Sequence, residues 1–412
     1  MAWTLARLEA LDREDGLSAF RDEFRLPEGV VYLDGNSLGP LPRGTPGRIA
    51  AVLEQEWGDG LIRSWNDADW IGLPARVGDQ IAGLVGAPAG SVLVADSTSV
   101  NLFKLLAAGL ALRPERTVIL TEDGNFPTDL YVAQGLARHL GDRHTIRNLP
   151  PEALVSALRP DVAVLLLTHV NYRTGALHDM AALTGAAHRN GTLVLWDLAH
   201  SAGAVPVDLA GCDADFAVGC GYKFLNGGPG APSFLYVAPR LQAGIRYPIT
   251  GWLGHAEPFG FHADFWPAAG IGAAAIGTPS ILALAALQVG VEIALRAPMR
   301  AVREKSCRLG DILIELVAQE CPDRQLALAT PREAAHRGSQ VSFRHPDAYP
   351  VMQALIAHGV IGDFRTPDIL RFGLTPLTIR YADLWRAVSV LRDVLESGEW
   401  RREVHRARRL VT

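Results

Sequence analysis

From Ser91 to about Val237 the chain alternates short apolar runs with amphipathic stretches, and that alternation restricts its fold more than any other feature. Ser91–Ala95, Thr117–Thr121, Asp161–Thr168, Thr192–Asp197, Asp215–Gly219 and Ser233–Val237 read as strands. Val100–Leu112, Thr128–His139 and Met180–Arg189 lie between several of them with helical periodicity. This predicts an α/β fold, a mostly parallel sheet with helices on both faces. Ligands of such sheets bind beyond the carboxyl ends of the strands, so the residues just after each apolar run are the ones to inspect.

After about Pro279 the texture changes. Ile281–Leu295 and Ala301–Glu320 read as long helices. A strand (Ser339–Arg344), a helix (Tyr349–His358), strands near Val360–Phe364 and Leu370–Gly373, and a final helix from Ala382 follow. This pattern predicts a smaller C-terminal α+β unit. A chain of 412 residues exceeds the roughly 250–300 at which single cores stop growing. We therefore divide it into an N-terminal arm (residues 1–55) that contributes to the small unit, a large unit (56–285) and the small unit (286–412).

Charge and cysteine usage narrow the partners. A net charge of -5 gives no reason to expect nucleic acid or an anionic membrane, and the basic run Arg401–Arg409 reads as a solvated helix end. No stretch approaches the roughly 18 uncharged apolar residues of a membrane span. Glu9, Asp12, Glu14 and Asp15 argue against a secretory leader. Cys212, Cys220, Cys307 and Cys321 show no CxxC spacing, which fits reduced thiols in a cytoplasm better than a zinc site.

Of 39 basic residues only Lys104, Lys223 and Lys305 are lysine. Composition bias explains the arginines, but arginine cannot form an imine, whereas a desolvated lysine becomes a nucleophilic amine. Lys223 lies in Gly219-Cys220-Gly221-Tyr222-Lys223-Phe224-Leu225-Asn226-Gly227-Gly228-Pro229-Gly230, directly after a predicted strand. For an isolated lysine, a surface position in a flexible loop is the plainer reading. Asp197 ends another strand and precedes Leu198-Ala199-His200; it suits a protonated pyridine nitrogen, or simply caps a turn. Asp197 and His200 as a metal pair would lack a third ligand, so no metal is expected. Asp96-Ser97-Thr98-Ser99 opens a helix and could cradle a phosphate or merely cap. Phe126, in Asn125-Phe126-Pro127-Thr128-Asp129, could stack on a flat heterocycle or pack, and Thr168 ends a further strand. Each signal is weak alone. Together they put an amine, a ring-nitrogen partner, a phosphate cradle and an aromatic on one sheet edge.

These residues resemble the kynureninase family. The match is carried by Tyr32-Leu33-Asp34-Gly35-Asn36-Ser37-Leu38-Gly39-Pro40, by Trp196-Asp197-Leu198-Ala199-His200 and by the Lys223 loop. Gly251-Trp252-Leu253-Gly254-His255, Gly277-Thr278-Pro279 and Gly362-Asp363-Phe364-Arg365 leading to Arg371 extend it over about residues 25 to 395. The resemblance implies a fold-type I pyridoxal-phosphate enzyme, a homodimer with active sites at the subunit interface, that cleaves L-kynurenine hydrolytically in tryptophan catabolism. It makes Lys223 the Schiff-base lysine and α-proton base, Asp197 the ring-nitrogen partner with His200 beside it, and Phe126 the stacking ring. Thr98, Ser99, Asp129, Thr168 and Tyr222 become further cofactor contacts, with Tyr222 a proton donor late in the reaction. Trp252 and Thr278 would reach the phosphate from the other subunit. Arg371 would clamp the substrate α-carboxylate, assisted by Ser37 or Asn36.

Thr278 stands where family members that prefer 3-hydroxykynurenine carry asparagine, which points to L-kynurenine. Trp65 either shapes that pocket or packs as core. Two rivals share the expected fold or cofactor. One is a cysteine desulfurase or small-substrate aminotransferase, with the same Lys223 and Asp197. The other is a non-catalytic cofactor-binding regulator. A desulfurase needs a mobile nucleophilic cysteine, yet Cys307 lies in a helical pattern and Cys321 just beyond one.

Overall fold

The computed structural model describes residues 2–322 and 324–408. The large unit is built on seven strands: β1 (Val92–Val94), β2 (Val118–Glu122), β3 (Thr145–Leu149), β4 (Val162–Thr168), β5 (Leu193–Asp197), β6 (Phe216–Cys220) and β7 (Ser233–Val237). Their spatial order is β1-β7-β6-β5-β4-β2-β3. Only β7 runs against its neighbours. The carboxyl ends of β1, β2, β4, β5 and β6 thus share one edge with the start of β7. Alternation along the strands supplies two cores. Leu165, Leu167, Val194 and Trp196 pack on one face, and Val164, Leu166, Leu193 and Leu195 on the other. The helices α1 (Thr98–Ala111) and α2 (Pro127–His139) cover the second face. The helix α3 (Met180–Arg189) covers the first.

Two long helices follow, α4 (Ile281–Arg296) and α5 (Met299–Glu320), with an 87° bend between them. The packing places the unit boundary later than the expected residue 285. Leu284, Leu287 and Val291 of α4 belong to the large core, whereas the small core begins with Leu309 in α5. Periodicity shows that a helix buries one face but not against which core, which is why the division fell inside α4. The small unit's sheet has the order Ala327–Leu328, β8 (Gln340–Arg344), β10 (Ile369–Gly373), β9 (Asp363–Arg365) and is antiparallel throughout. Leu8, Val31 and Leu33 of the N-terminal arm sit in its core, and Val31–Tyr32 pairs in parallel with Val360–Ile361. Among the described residues no single helix is long and apolar enough to cross a membrane. The basic run through Arg408 is largely exposed, and Arg409 lies outside the described residues.

Strand β3 had no counterpart in the sequence reading. It is the sheet's edge strand, and Thr145, Arg147 and Asn148 give it no apolar run. Helix α4 meets the Lys223 loop backbone to side: a methyl on Gly290 would overlap the carbonyl oxygen of Leu225. Gly290→Ala is therefore expected to destabilise the protein by about 2 kcal/mol in urea denaturation. Gly135→Ala, on α2 with open space around it, should be neutral or stabilise by up to about 1 kcal/mol.

Candidate active site

Lys223 is held by a turn that its neighbours make unavoidable. The Lys223 carbonyl accepts from the Asn226 amide at 3.0 Å, and Gly227 N–H returns to the Gly221 carbonyl at 2.8 Å. Asn226 takes a left-handed φ of 53° to close it. From the N-terminal arm, Gly39 N–H donates to the Tyr222 carbonyl at 2.8 Å; a side chain at Gly39 would overlap Asn226 and the Lys223 carbonyl. The amine thus emerges in a fixed place. Its Nζ lies 3.0 Å from His200 Nε2 and 5.9 Å from the centre of the Phe126 ring. The other two lysines are committed elsewhere. Lys104 Nζ pairs with Asp96 at 2.8 Å and the Ala274 carbonyl at 2.9 Å. Lys305 Nζ pairs with Asp15 at 2.6 Å and the Pro376 carbonyl at 2.5 Å.

Asp197 and Thr168 are register partners at the ends of β5 and β4, which puts them side by side on the edge. Asp197 Oδ1 accepts from Ala199 N–H at 2.7 Å, so the turn-capping role also holds. Asp129, in the first turn of α2, is fully buried, and neither of its carboxylate oxygens has a partner. Burial, then the neighbouring Asp197, push Asp129 well above the usual carboxylate range, against the pull of Lys223. Asp197 is pushed up by burial and drawn back by Lys223. Burial holds His200 far below its usual value, with Lys223, Arg371 and Arg365 adding to the effect. His200 is therefore a neutral imidazole facing the amine. These groups line a cavity of about 90 Å³ with Thr98, Ser99, Phe126, Thr168 and Tyr222.

Thr98 and Ser99 open α1, whose cap is the Ser97 hydroxyl accepting from Val100 N–H. Thr98, Tyr222 and Thr278 also line a second, larger cavity of about 750 Å³ that adjoins the first. Thr278, expected to arrive from a second subunit, already borders this space within one chain. Trp252 does not: it is 39% exposed on a loop where it packs edge-on against Phe259. Trp65 is half-buried, packed edge-on against Trp70 and beside the small cluster of Val52 and Ala285.

Across the unit boundary, β9 and β10 bring arginine to the site. Asp363 is the cross-strand partner of Arg371, so both side chains share one face. Arg371 is buried. Its Nε donates to Asp363 at 2.7 Å, its Nη2 to Asp363 and to Ser37 Oγ at 2.8 Å, and its Nη1 to the Tyr172 carbonyl at 2.6 Å. Asn36 does not touch Arg371 but donates to Gln340 Oε1 at 3.2 Å. Four contributors carried no role in the sequence reading. Asn125 accepts from Thr168 Oγ1 and from Phe126 N–H, the latter at 2.6 Å. Tyr172 packs its ring edge-on against Phe126 at 5.1 Å. Gln340 donates to the Tyr172 carbonyl at 3.0 Å, and Arg365 bonds Asp363 at 2.6 Å. Asn125 could have been found from its place after β2 and Arg365 from its place in the Gly362–Arg365 block; Tyr172 and Gln340 follow no motif.

The family model for the kynureninase C-terminal domain matches residues 302–391. The chain is 50% identical to the kynureninase of Pseudomonas fluorescens over 408 residues, 98% of each chain, and equally to that of Burkholderia pseudomallei. Among solved structures it resembles C-DES, a cystine C-S lyase solved with glycine covalently linked to its PLP cofactor, with TM-score 0.79 and 19% identity over 90% of this chain and 99% of that one. A cysteine desulfurase from Thermococcus onnurineus matches with TM-score 0.76 and 17% identity over 92% and 98%. At those identities the structures show the shared fold, fold-type I.

The charge state of Asp129 gives a test. Its carboxyl is raised in the fold, so its stabilising contribution is full below its ordinary value of 3.8 and is lost as pH rises through the folded value. Asp129→Asn removes that loss. In cofactor-free protein the melting temperature of the variant, relative to the parent, should climb as pH rises above the ordinary carboxylate value of 3.8. A difference independent of pH would contradict a buried, proton-holding Asp129.

Proposed function

The chain belongs to the kynureninase family, and from that premise we propose how its residues carry out the hydrolytic cleavage of L-kynurenine to anthranilate and L-alanine. The 50% identity to the P. fluorescens enzyme, along 98% of both chains, is the observation that carries reaction and substrate. The chain is a hydrolase dependent on pyridoxal phosphate, and its residues fit that group. Asp197 offers a buried carboxylate to a protonated ring nitrogen, with the two buried, unpartnered oxygens of Asp129 beside it. Lys223 offers a primary amine, Phe126 an aromatic face, and the start of α1 hydroxyls and amides for the phosphate.

When bound, pyridoxal phosphate supplies a protonated ring that accepts electron density from the carbons of the amino-acid substrate. Lys223 would hold the cofactor through its primary amine and would serve as the base for the substrate α-proton. His200, neutral at 3.0 Å, accepts or donates one hydrogen bond to that amine without adding a competing charge. Asp197 would hold a proton on the ring nitrogen, with Asp129 packed beside it. Arg371 and Ser37 orient the α-carboxylate, which fixes the α-hydrogen relative to Lys223. Burial, then Cys220 and Asp197, push the Tyr222 phenol up, so it stays protonated and can deliver a proton to the β-carbon that becomes the alanine methyl. Thr278, without the amide of asparagine, favours L-kynurenine over the 3-hydroxy form.

The desulfurase alternative is less supported. Cys307 lies within α5 and Cys321 caps it, while Cys220 is buried and its thiol is pushed up by burial. A second copy of the chain is the partner we assign. Trp252, Phe259, Phe261, Phe265 and Trp266 are 37–79% exposed on one loop, an aromatic surface that suits a symmetric interface. We place the protein in the cytoplasm, where its four free cysteines would stay reduced.

Anthranilate fluorescence tests the reaction. L-kynurenine should yield anthranilate, L-cysteine should yield no sulfide, and Lys223→Ala should lower turnover at least about a thousandfold. Sulfide release at a comparable rate would restore the desulfurase reading. Subunit mixing tests the shared site. If Trp252 serves the partner's site, then Lys223→Ala and Trp252→Ala proteins, each inactive, should regain about a quarter of native activity after mixing. No recovery would assign Trp252 to its own chain's packing.

A further inference from the structure

Two arginines, not one, lie close enough to His200 to act on its charge, and their bonding differs. Asp363 and Arg365 are two residues apart on β9, so their side chains project to the same face, on which Arg371 faces Asp363 from β10. Arg371 has a partner for every guanidinium nitrogen and is 1% exposed. Arg365 does not. Its Nη2 is shared between Asp363 at 2.6 Å and Ser37 at 3.3 Å, its Nη1 meets only the neighbouring Phe364 carbonyl at 3.5 Å, and its Nε is buried without a partner. Native structures leave few buried donors unmatched, and a site that leaves guanidinium donors free is suited to a carboxylate fork.

The charges point the same way. One carboxylate, Asp363, serves two guanidinium groups. The nearby Asp34 is pushed up to about 7 by burial and by Asp363, so near neutral pH it is only partly ionised and does not cancel the excess. The surplus positive charge lies beside the reacting amine. His200, 3.0 Å from Lys223, is held neutral in part by both Arg371 and Arg365.

We propose that Arg365 is a second carboxylate-binding residue, presenting the guanidinium edge that grips the substrate α-carboxylate while Asp363 anchors Arg371 behind it. This rests on the amino-acid-cleaving function proposed above, and it shifts part of the clamp from Arg371 to a residue with donors to spare. Arg365 thereby sets the preference for an amino acid over the matching amine or amide.

Ligand binding to the holoenzyme separates this from a purely structural ion pair. L-alanine and L-alaninamide differ in the carboxylate alone, and their dissociation constants are read from calorimetric titration. The parent protein should bind L-alanine at least about tenfold more tightly than the amide. Arg365→Gln should lose most of that ratio, and Arg365→Lys should recover part of it. A ratio in Arg365→Gln equal to the parent's would overturn the assignment to Arg365, and so would equal losses in the Gln and Lys variants accompanied by a lowered melting temperature. A parent protein without preference for the carboxylate would instead overturn the amino-acid reading on which the inference rests.

Discussion

The whole arrangement depends on keeping a primary amine free inside the protein. An unpaired buried ammonium is costly, so buried lysines are normally tied to carboxylates. This chain does that twice, with Lys104 on Asp96 and Lys305 on Asp15. At Lys223 it does the opposite. The nearest polar atom is the neutral His200 imidazole, and the acids Asp197 and Asp129 lie close enough to act on it electrostatically. The glycine-rich turn and the Gly39 contact hold the amine there without giving it a salt-bridge partner.

That constraint explains why two units are needed. The large sheet can set an amine, two carboxylates and a phosphate cradle along one edge, because six strands end there in the same direction. It does not carry the buried arginine read as the partner of a substrate carboxylate. The small unit does, through the cross-strand pair Asp363 and Arg371, and it is joined to the large unit at the site itself. Arg371 and Gln340 both donate to the Tyr172 carbonyl, and Ser37 of the N-terminal arm bridges to Asp363 and the arginines. Any shift between the units would move the carboxylate site relative to Lys223.

Much of this was legible in the sequence, for reasons that can be named. Met180–Arg189 and Ser233–Val237 carry unbroken patterns and came out with the boundaries read. Strand ends followed from those patterns, so Asp197, Thr168, Phe126 and Lys223 were read onto one sheet edge before any geometry, whereas Asp129 came only from the resemblance. The failures have physical causes too. The edge strand at Thr145–Leu149 buries little and therefore leaves no apolar signal. The expected boundary cut helix α4 in two because periodicity does not identify a partner. Trp65 and Trp252 look alike in sequence, yet one is half-buried against Trp70 and the other lies exposed beside Phe259. Tyr172 and Gln340 act through a backbone carbonyl and an amide, groups without a sequence signature. Arg365 stood in a recognised block, but only its unmatched donors distinguish it from an ordinary ion-pair residue.

The central claim is that Lys223 alone, of three lysines, carries the cofactor. Reduction of the holoenzyme with borohydride, followed by proteolysis and mass spectrometry, reads the attachment site directly. The pyridoxyl group should be found on the peptide containing Tyr222-Lys223-Phe224, with Lys104 and Lys305 unmodified. A label on either of those two lysines, or none on Lys223, would contradict the account.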